Sequence, residues 1–461
     1  MIPIYLKQVA FILNALYKGN NCKIDTISFD SRKIKKNHKS LFVVIRGKKF
    51  NGEEFVYEAI QNGAIAILNT RLLPIDIPQI IVDNVINSLK KIAIWLRNNI
   101  NVKIIAITGS CGKTSVKEMV FNILKIHGKT LATKKNFNNN LGVLITLLAI
   151  KQHHKFAVIE IGGSQFNEIK LSSRLIRPDI VLINNITESH LSGFKSLYGV
   201  SVAKGEIFSG MLKNSIVVLN SDSHNWLLWK NKIQQQLVIW FGLRYSQKNF
   251  FHLISIIQKN LITKIKLKTP SGILNITLNM LGHHNVSNAI AASIISYLIG
   301  VNLINIELGL KSYFALPGRL FPIFLSKNCI LLDDSYNANM GSMMASISVL
   351  QKMPGYRLIV IGDMLDLGLK SEIFLHKKLG IILSDTNIHK VFSIGCISQF
   401  TSDMSKKGHH YFNTEMLVTH IIQVLTQYPV TTILVKGSHD TKMYKVVEML
   451  KGNFKYANIF I

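Results

Sequence analysis

Short apolar runs, each closed by glycine, asparagine or an acidic residue and followed by a stretch of helical spacing, recur along this chain. That alternation is the pattern from which parallel α/β sheets are built. The opening segment packs such runs closely: ISFDSR, SLFVVIRG, a helix-like FVYEAIQNG, then AIAIL and QIIVD. They predict a small α/β domain over residues 1–83. After Asp83 a helix-like stretch through Trp95 leads into the run from Val102 to Thr108, then a glycine loop and another helix. Further runs at Phe156 to Ile161, Ile180 to Asn184 and Ile216 to Leu219 predict one mostly parallel sheet in a central domain, residues 84–315. Pro317-Gly318 is a turn signal. Beyond it CILLDDSY, RLIVIGD, KVFSIG and TILVKG are each followed by a helix-like segment, which predicts a doubly wound, Rossmann-like domain over 316–461. Ligands of such sheets bind beyond the carboxyl ends of the strands, where Asp334, Asp363 and Lys436 fall.

Composition adds bounds. A chain of 461 residues, 48% of them hydrophobic, exceeds one ordinary core and agrees with several domains. Its longest apolar stretch, Ala289 to Val301, falls short of the ~20 residues of a spanning helix, so no membrane span is expected. The opening stretch has Lys7 inside its apolar part and no basic region ahead of it, and so reads as an amphipathic helix and not as a signal peptide. The cytoplasm is the expected compartment. Cys22, Cys111, Cys329 and Cys396 lie far apart without a CxxC pair, which argues against a disulfide framework and a zinc site. The balance of 54 basic to 25 acidic residues, +29, is the footprint of a nucleic-acid binder. Against that reading, the lysines are spread throughout, no aromatic-interleaved basic patch occurs, and the Lys, Asn and Ile bias is what an AT-rich genome produces. No nucleic-acid partner is expected. A basic nucleic-acid-binding protein with a remnant phosphate loop stays as the alternative of a different class.

The glycine loop, Thr108-Gly109-Ser110-Cys111-Gly112-Lys113-Thr114-Ser115, carries the chemistry. A glycine-rich turn between strand and helix lets backbone N–H groups converge on phosphate, and the helix N-terminus adds partial positive charge. Lys113 would reach the β and γ phosphates of ATP, and the Thr114 hydroxyl would ligate Mg²⁺. Ile107 stands at the first glycine of the strict GxxxxGKT form, so this is the shorter variant. The loop alone leaves GTPases, kinases, helicases and ligases open. The buried run Phe156 to Glu160 ends in a carboxylate, the arrangement that positions a metal ligand near phosphates. No NKxD guanine motif follows.

Taken together, TGSCGKTS, KNFNNNLGV, FAVIEIG, ESHL, AKGEIFSG, GHHNVSNAIAA, PGRL, DDSYNAN, GDMLDLG and LVKGS resemble the Mur ligase family. The motifs run in the family's order from Asp30 to Ser438. DSYNAN with GDMLDLG resembles the branch that adds D-alanyl-D-alanine. The resemblance implies an ATP-dependent amide ligase joining D-alanyl-D-alanine to UDP-N-acetylmuramoyl-tripeptide through an acyl phosphate. Its first domain would bind the nucleotide sugar, its centre ATP, and its last domain would close on ATP and take the dipeptide. A monomer is expected. Another Mur-type or a folylpolyglutamate-type ligase is the alternative within the fold.

Position by position, the resemblance implies Lys113 as the phosphate-loop lysine and Thr114, Glu160, His190 and Lys204 around two Mg²⁺ ions, Lys204 as a CO₂-derived carbamate. Asn285 and Asn288 correspond to the adenine side, Arg319 to an arginine near the phosphates, and Asp334 to an acid at the ribose. Lys113, Lys204, His190 and Arg319 are the implied catalytic groups. Ser31, Arg32, Gly47, Asn138 and Asn139 match positions facing the UDP substrate, and Asn337, Asn339, Asp366 and Lys436 the dipeptide side. Lys135, Asn140 and Leu144 stand where the family pattern has Gly, Asp and Pro; Asp366 replaces Glu and His439 replaces Arg.

Overall fold

A computed structural model of the chain describes residues 1–47, 50–223, 226–454 and 458–459. Three main sheets follow one another along it. The first is five-stranded, in the order Leu16–Lys18, Gln79–Ile81, Ala64–Asn69, Ser40–Val43, Thr26–Ser28, and parallel except for Leu16–Lys18 at its edge. The expected amphipathic helix spans Leu6–Leu13 and buries Leu6, Val9, Ala10 and Leu13, one face at helical spacing.

The central sheet has six parallel strands in the order Thr130–Ala132, Phe156–Glu160, Lys103–Thr108, Ile180–Ile183, Ile216–Asn220, Leu237–Phe241. Strand Lys103–Thr108 lies inside it, which is why its sequence is apolar on both faces. Ile104 and Ala106 point into a core shared with the first domain, whereas Ile105 and Ile107 point into a second core beside helix His283–Leu298. The ladder pairs Ile107 with Glu160 and Thr108 with Ile183, so three strand ends and the loops after them converge. Helix Val85–Asn98, started by the Asn84 side chain accepting from Asn87 N–H, packs its buried face into the shared core.

Two strands of this sheet, Thr130–Ala132 and Leu237–Phe241, go beyond the sequence expectation. So does an antiparallel meander, His252–Lys259, Ile262–Thr269 and Gly272–Leu278. In its middle strand Ile265 and Leu267 are buried while Lys264, Lys266 and Lys268 are exposed, the period of two of a half-buried strand. The apolar stretch after Ala289 belongs to helix His283–Leu298, which is enclosed between this meander and helix Lys113–His127. No helix among the described residues is long and apolar enough to cross a membrane.

The last sheet runs Gly408–Tyr411, Lys390–Ile394, Tyr356–Ile361, Thr431–Lys436, Cys329–Asp334, Phe321–Ser326, Asn458–Ile459. Its first five strands are parallel with helices between them, the doubly wound pattern, and the final two are antiparallel additions. Register sets Asp334 and Ile361 on either side of Lys436, at the carboxyl ends.

The enclosed helix gives a stability test. Ile290 is fully buried, and Ile290→Ala removes buried methyl groups and leaves a cavity, so it should cost about 2–5 kcal/mol. The expected readout is a lower urea midpoint at unchanged circular dichroism in buffer.

Candidate active site

The loop after Thr108 turns through Gly109 at φ 146° and Gly112 at φ 76°, backbone that favours glycine. At Gly112 space is also short: a Cβ would lie 2.6 Å from both Asn184 Nδ2 and Asn288 Oδ1. The helix begins at Lys113 without a side-chain cap, leaving its first-turn N–H groups to an anion.

Asparagines hold this loop. Asn184 and Asn185 donate to the Cys111 carbonyl at 3.0 and 3.1 Å, and Cys111 N–H donates to Asn185 Oδ1 at 2.8 Å. Asn288 Oδ1 accepts from Asn184 at 2.9 Å, and Asn285 donates to the Leu281 carbonyl. Ser110 Oγ donates to the Thr187 carbonyl. Thr108 lies beneath, its hydroxyl donating to the Ile161 carbonyl at 2.8 Å. Asn184, Asn185 and Thr187 were not singled out by sequence reasoning; their one signal is a polar INNIT run closing a buried strand.

Lys113 Nζ donates to the Gly109 carbonyl at 2.7 Å and to that of Ser110 at 3.2 Å, while burial pushes its pKa down. Thr114 Oγ1 donates to Glu160 Oε2 at 3.0 Å and accepts from Arg319 Nη2 at 2.9 Å. Asn138 donates to the other Glu160 oxygen at 2.8 Å. The Arg319 guanidinium stacks 4.1 Å from the centroid of the Tyr336 ring. A hydroxyl and a carboxylate side by side are hard oxygen donors, and no group of three metal-ligating side chains occurs among the described residues. That set fits magnesium, which is commonly held by one or two carboxylates together with phosphate and water.

Around these groups opens a cleft of about 600 Å³. Ser110 to Ser115, Asn138, Asn139, Glu160 and His190 line it from the central domain, with Asn285 and Asn288. Arg319, Asp334, Asn337, Asn339 and Lys436 line it from the last domain. The two sides touch. Besides Arg319 on Thr114, Asn339 meets Cys111 Sγ at 3.2 Å, and Asp366 accepts from Ser192 Oγ at 2.5 Å and hydrogen-bonds His190 Nδ1.

Several expected site residues have other occupations. Asp366, expected on the dipeptide side, ties His190 and Ser192 across the domain seam from a backbone at φ 68°. Asp334, expected at a ribose, has both oxygens engaged within its own domain, by Lys436 Nζ at 2.5 Å, Ser346 Oγ at 2.6 Å and Leu320 N–H at 3.1 Å. Lys436 is thereby paired with Asp334 and also donates to the Asn337 carbonyl. Lys204 is fully buried behind the cleft. Its Nζ lies 3.4 Å from the Gly163 carbonyl and 5.3 Å from the centroid of the Phe194 ring, with no ion pair among the described residues. Burial first, and the charge of Lys113 second, pull its pKa down to about 7. Burial likewise lowers His190, helped by Lys204 and Lys113 and opposed by Asp366.

In the first domain Ser31 Oγ donates to Glu58 at 2.7 Å, Arg32 pairs with Asp30 at 2.9 Å, and Gly47 pairs with Phe50 in a small hairpin. None of the three lines the central cleft. Lys48 and Lys49, in the loop around Gly47, lie outside the described residues. Lys135, where the family pattern has glycine, takes φ 49°, the conformation a glycine adopts without strain.

Residues 107–296 match the Mur ligase middle domain, and residues 318–439 the family described as Mur ligase, glutamate ligase domain. The chain is 42% identical over 450 residues to the UDP-N-acetylmuramoyl-tripeptide–D-alanyl-D-alanine ligase of Buchnera aphidicola subsp. Acyrthosiphon pisum, covering 98% of each. It is 41% identical over 453 residues to the protein of the same name from Escherichia coli K12, covering 98% of this chain and 99% of that one. It is also similar to the crystal structure of MurF from Acinetobacter baumannii, with a TM-score of 0.89 at 27% identity, covering 98% of this chain and 99% of the other.

Gly112→Ala should disable the loop without unfolding the chain. A left-handed alanine costs about 1–2 kcal/mol, and its methyl collides with the asparagines that hold the loop. Affinity for a fluorescent ATP analogue is expected to fall at least roughly tenfold while the thermal midpoint changes little.

Proposed function

The chain belongs to the Mur ligase family, and we propose from that premise that it joins D-alanyl-D-alanine to UDP-N-acetylmuramoyl-tripeptide with ATP, giving the pentapeptide precursor of peptidoglycan. One observation carries the reading: Lys113, Thr114 and Glu160 from the central domain and Arg319 from the last one meet at a single phosphate loop.

A carboxylate does not condense with an amine in water, because oxide is a hopeless leaving group. In the proposed reaction the terminal carboxylate of the tripeptide attacks the γ-phosphorus of ATP, ADP leaves, and an acyl phosphate forms. The dipeptide amine then adds to the acyl carbon, and phosphate departs from the tetrahedral intermediate. The loop N–H groups orient the polyphosphate. Lys113 exchanges its two carbonyl partners for phosphate oxygens, and Arg319 supplies the second cation for charge on the transferring group. Thr114 and Glu160 would hold magnesium, which offsets phosphate charge when bound. The contacts of Asn339 and Asp366 with the central domain keep water from the acyl phosphate. Asn337 and Asn339 face the incoming dipeptide. Ser31, Arg32 and the Gly47 hairpin serve the UDP end, with Asn138 and Asn139 nearer the peptide, and Asn285 and Asn288 serve the adenine.

Lys204 is the group whose surroundings call for a change of chemistry. A buried cation near Lys113 without an anionic partner is unfavourable. Attack of its neutral amine on CO₂, with loss of one proton, makes an anionic carbamate, a suitable oxygen ligand for a second magnesium ion together with His190, whose Nδ1 is held by Asp366. We assign the enzyme to the cytoplasm as a monomer. Its cysteines are free thiols among the described residues, in keeping with a reducing compartment.

Phosphate release from ATP measured with UDP-N-acetylmuramoyl-tripeptide should rise several-fold on adding D-alanyl-D-alanine; stimulation instead by diaminopimelate or glutamate would assign the chain to another ligase branch. Lys204→Ala should lower the rate by orders of magnitude, with partial recovery in a short carboxylic acid, and wild-type rates in the variant would remove Lys204 from the chemistry. An amine with its pKa at about 7 is largely neutral above that pH, where an ordinary lysine is neutral in roughly 1 molecule in 2,500 at pH 7. Protonation below about pH 7 withdraws the CO₂-reactive form. Activity in CO₂-depleted buffer should therefore fall more steeply on acidification than activity in saturating bicarbonate.

A further inference from the structure

A second cavity, of about 380 Å³, lies across the domain seam and shares no lining residue with the phosphate cleft. Helix Met340–Leu350 separates them, with Ser342 and Ser346 on the cleft and Ser348 and Val349 on the cavity. The central domain contributes Leu261 and Leu281, and the last domain Phe324, Ile330, Val349 and Met353. Its polar lining includes the neutral Gln258, Asn260 and Ser348, and its charged side chains are of one sign. Lys259, His283 and Lys352 are exposed around this apolar hollow, and no acidic side chain lines it. Lys352 Nζ lies 3.1 Å from His283 Nε2, and neither Lys352 nor Lys259 forms an ion pair among the described residues.

The backbone supplies an independent mark. The meander strands His252–Lys259 and Ile262–Thr269 join through Asn260 and Leu261, at φ 51° and 62°. Such a two-residue turn wants asparagine and then glycine. A leucine at the second position is strained and persists only where the surroundings hold it. Here Leu261 packs against the hydrophobic core of the last domain while lining the cavity. The strained turn is thus built into the seam at the edge of the hollow.

We infer that this cavity is a binding site for an amphipathic carboxylate, with its apolar body between Leu261, Leu281 and Val349 and its head group at Lys352 and Lys259. An apolar slot rimmed by unpaired cations complements that chemistry: a neutral body alone leaves the lysines without an anion, and a small anion alone leaves the apolar wall wet. Because both domains line the site, an occupant contacts each of them only while the seam is closed, so binding favours closure.

Titration calorimetry on the complete chain tests this without reference to ligase activity. Decanoate should bind saturably at a single site, butyrate should not, and decanol should bind at least roughly tenfold more weakly than decanoate. The double variant Lys259→Gln, Lys352→Gln should lose at least roughly that factor for decanoate and leave decanol unchanged. Ser348→Trp, which fills the mouth, should abolish both, and the exposed lysine pair carries the test if that variant does not fold. Equal binding of decanoate and decanol, wild-type decanoate affinity in the double glutamine variant, or displacement of decanoate by ATP would each overturn the assignment.

Discussion

Strand Lys103–Thr108 is buried on both faces and paired on both edges, and most of the molecule is arranged around that fact. Its even positions close the core shared with the first domain, and its odd positions close the core around helix His283–Leu298. Its register with Phe156–Glu160 delivers the Glu160 carboxylate to the end where the chain breaks into the glycine loop. A shift of one residue would turn every side chain to the wrong core and carry Glu160 away from Thr114. The geometry of the candidate site and the packing of two cores are therefore fixed by one ladder.

Beyond that ladder the site gathers positive charge in a partly dry space. Lys113 and Arg319 converge on Thr114 and Glu160, Lys204 lies buried behind them with Glu206 and Glu168 as the acids that act on it, and the loop itself is held by neutral amides. Asparagines fix the loop without adding any charge to it. The interdomain contacts are of the same economical kind: Arg319 to Thr114, Asn339 to Cys111, Asp366 to His190 and Ser192. Each crosses the seam at or beside the cleft, so the position of the last domain and the shape of the site are one variable.

Much of this was legible in the sequence because it is local. The glycine loop, the apolar run ending at Glu160 and the doubly wound alternation beyond Pro317 each follow from spacing over a few residues. What was hidden is non-local or masked. Thr130–Ala132 is too short to show a period, and the alternation of lysine with isoleucine and leucine from Lys264 to Lys268 is camouflaged in a chain where lysine and isoleucine are abundant everywhere. The roles of Asn184, Asn185 and Thr187 depend on a loop more than seventy residues away in the chain. The engagement of Asp334 with Lys436 and of Asp366 with His190 depends on partners about a hundred residues or more distant. Motif matching names such residues and cannot say which neighbour will occupy them.

The shared core has a consequence for synthesis. Met1, Leu6, Leu41 and Leu68 belong to the same hydrophobic cluster as Leu147, Ile159, Leu219 and Ile233, bridged by the buried face of helix Val85–Asn98. A ribosome making this protein in order releases the first domain long before its covering layer exists. The helix face of Leu89, Ile92 and Leu96 waits in water until the strands and helices through Ile233 emerge. From Asn98 to Ile233, a little under a third of the chain, the nascent protein thus carries an uncovered apolar face that its finished form hides.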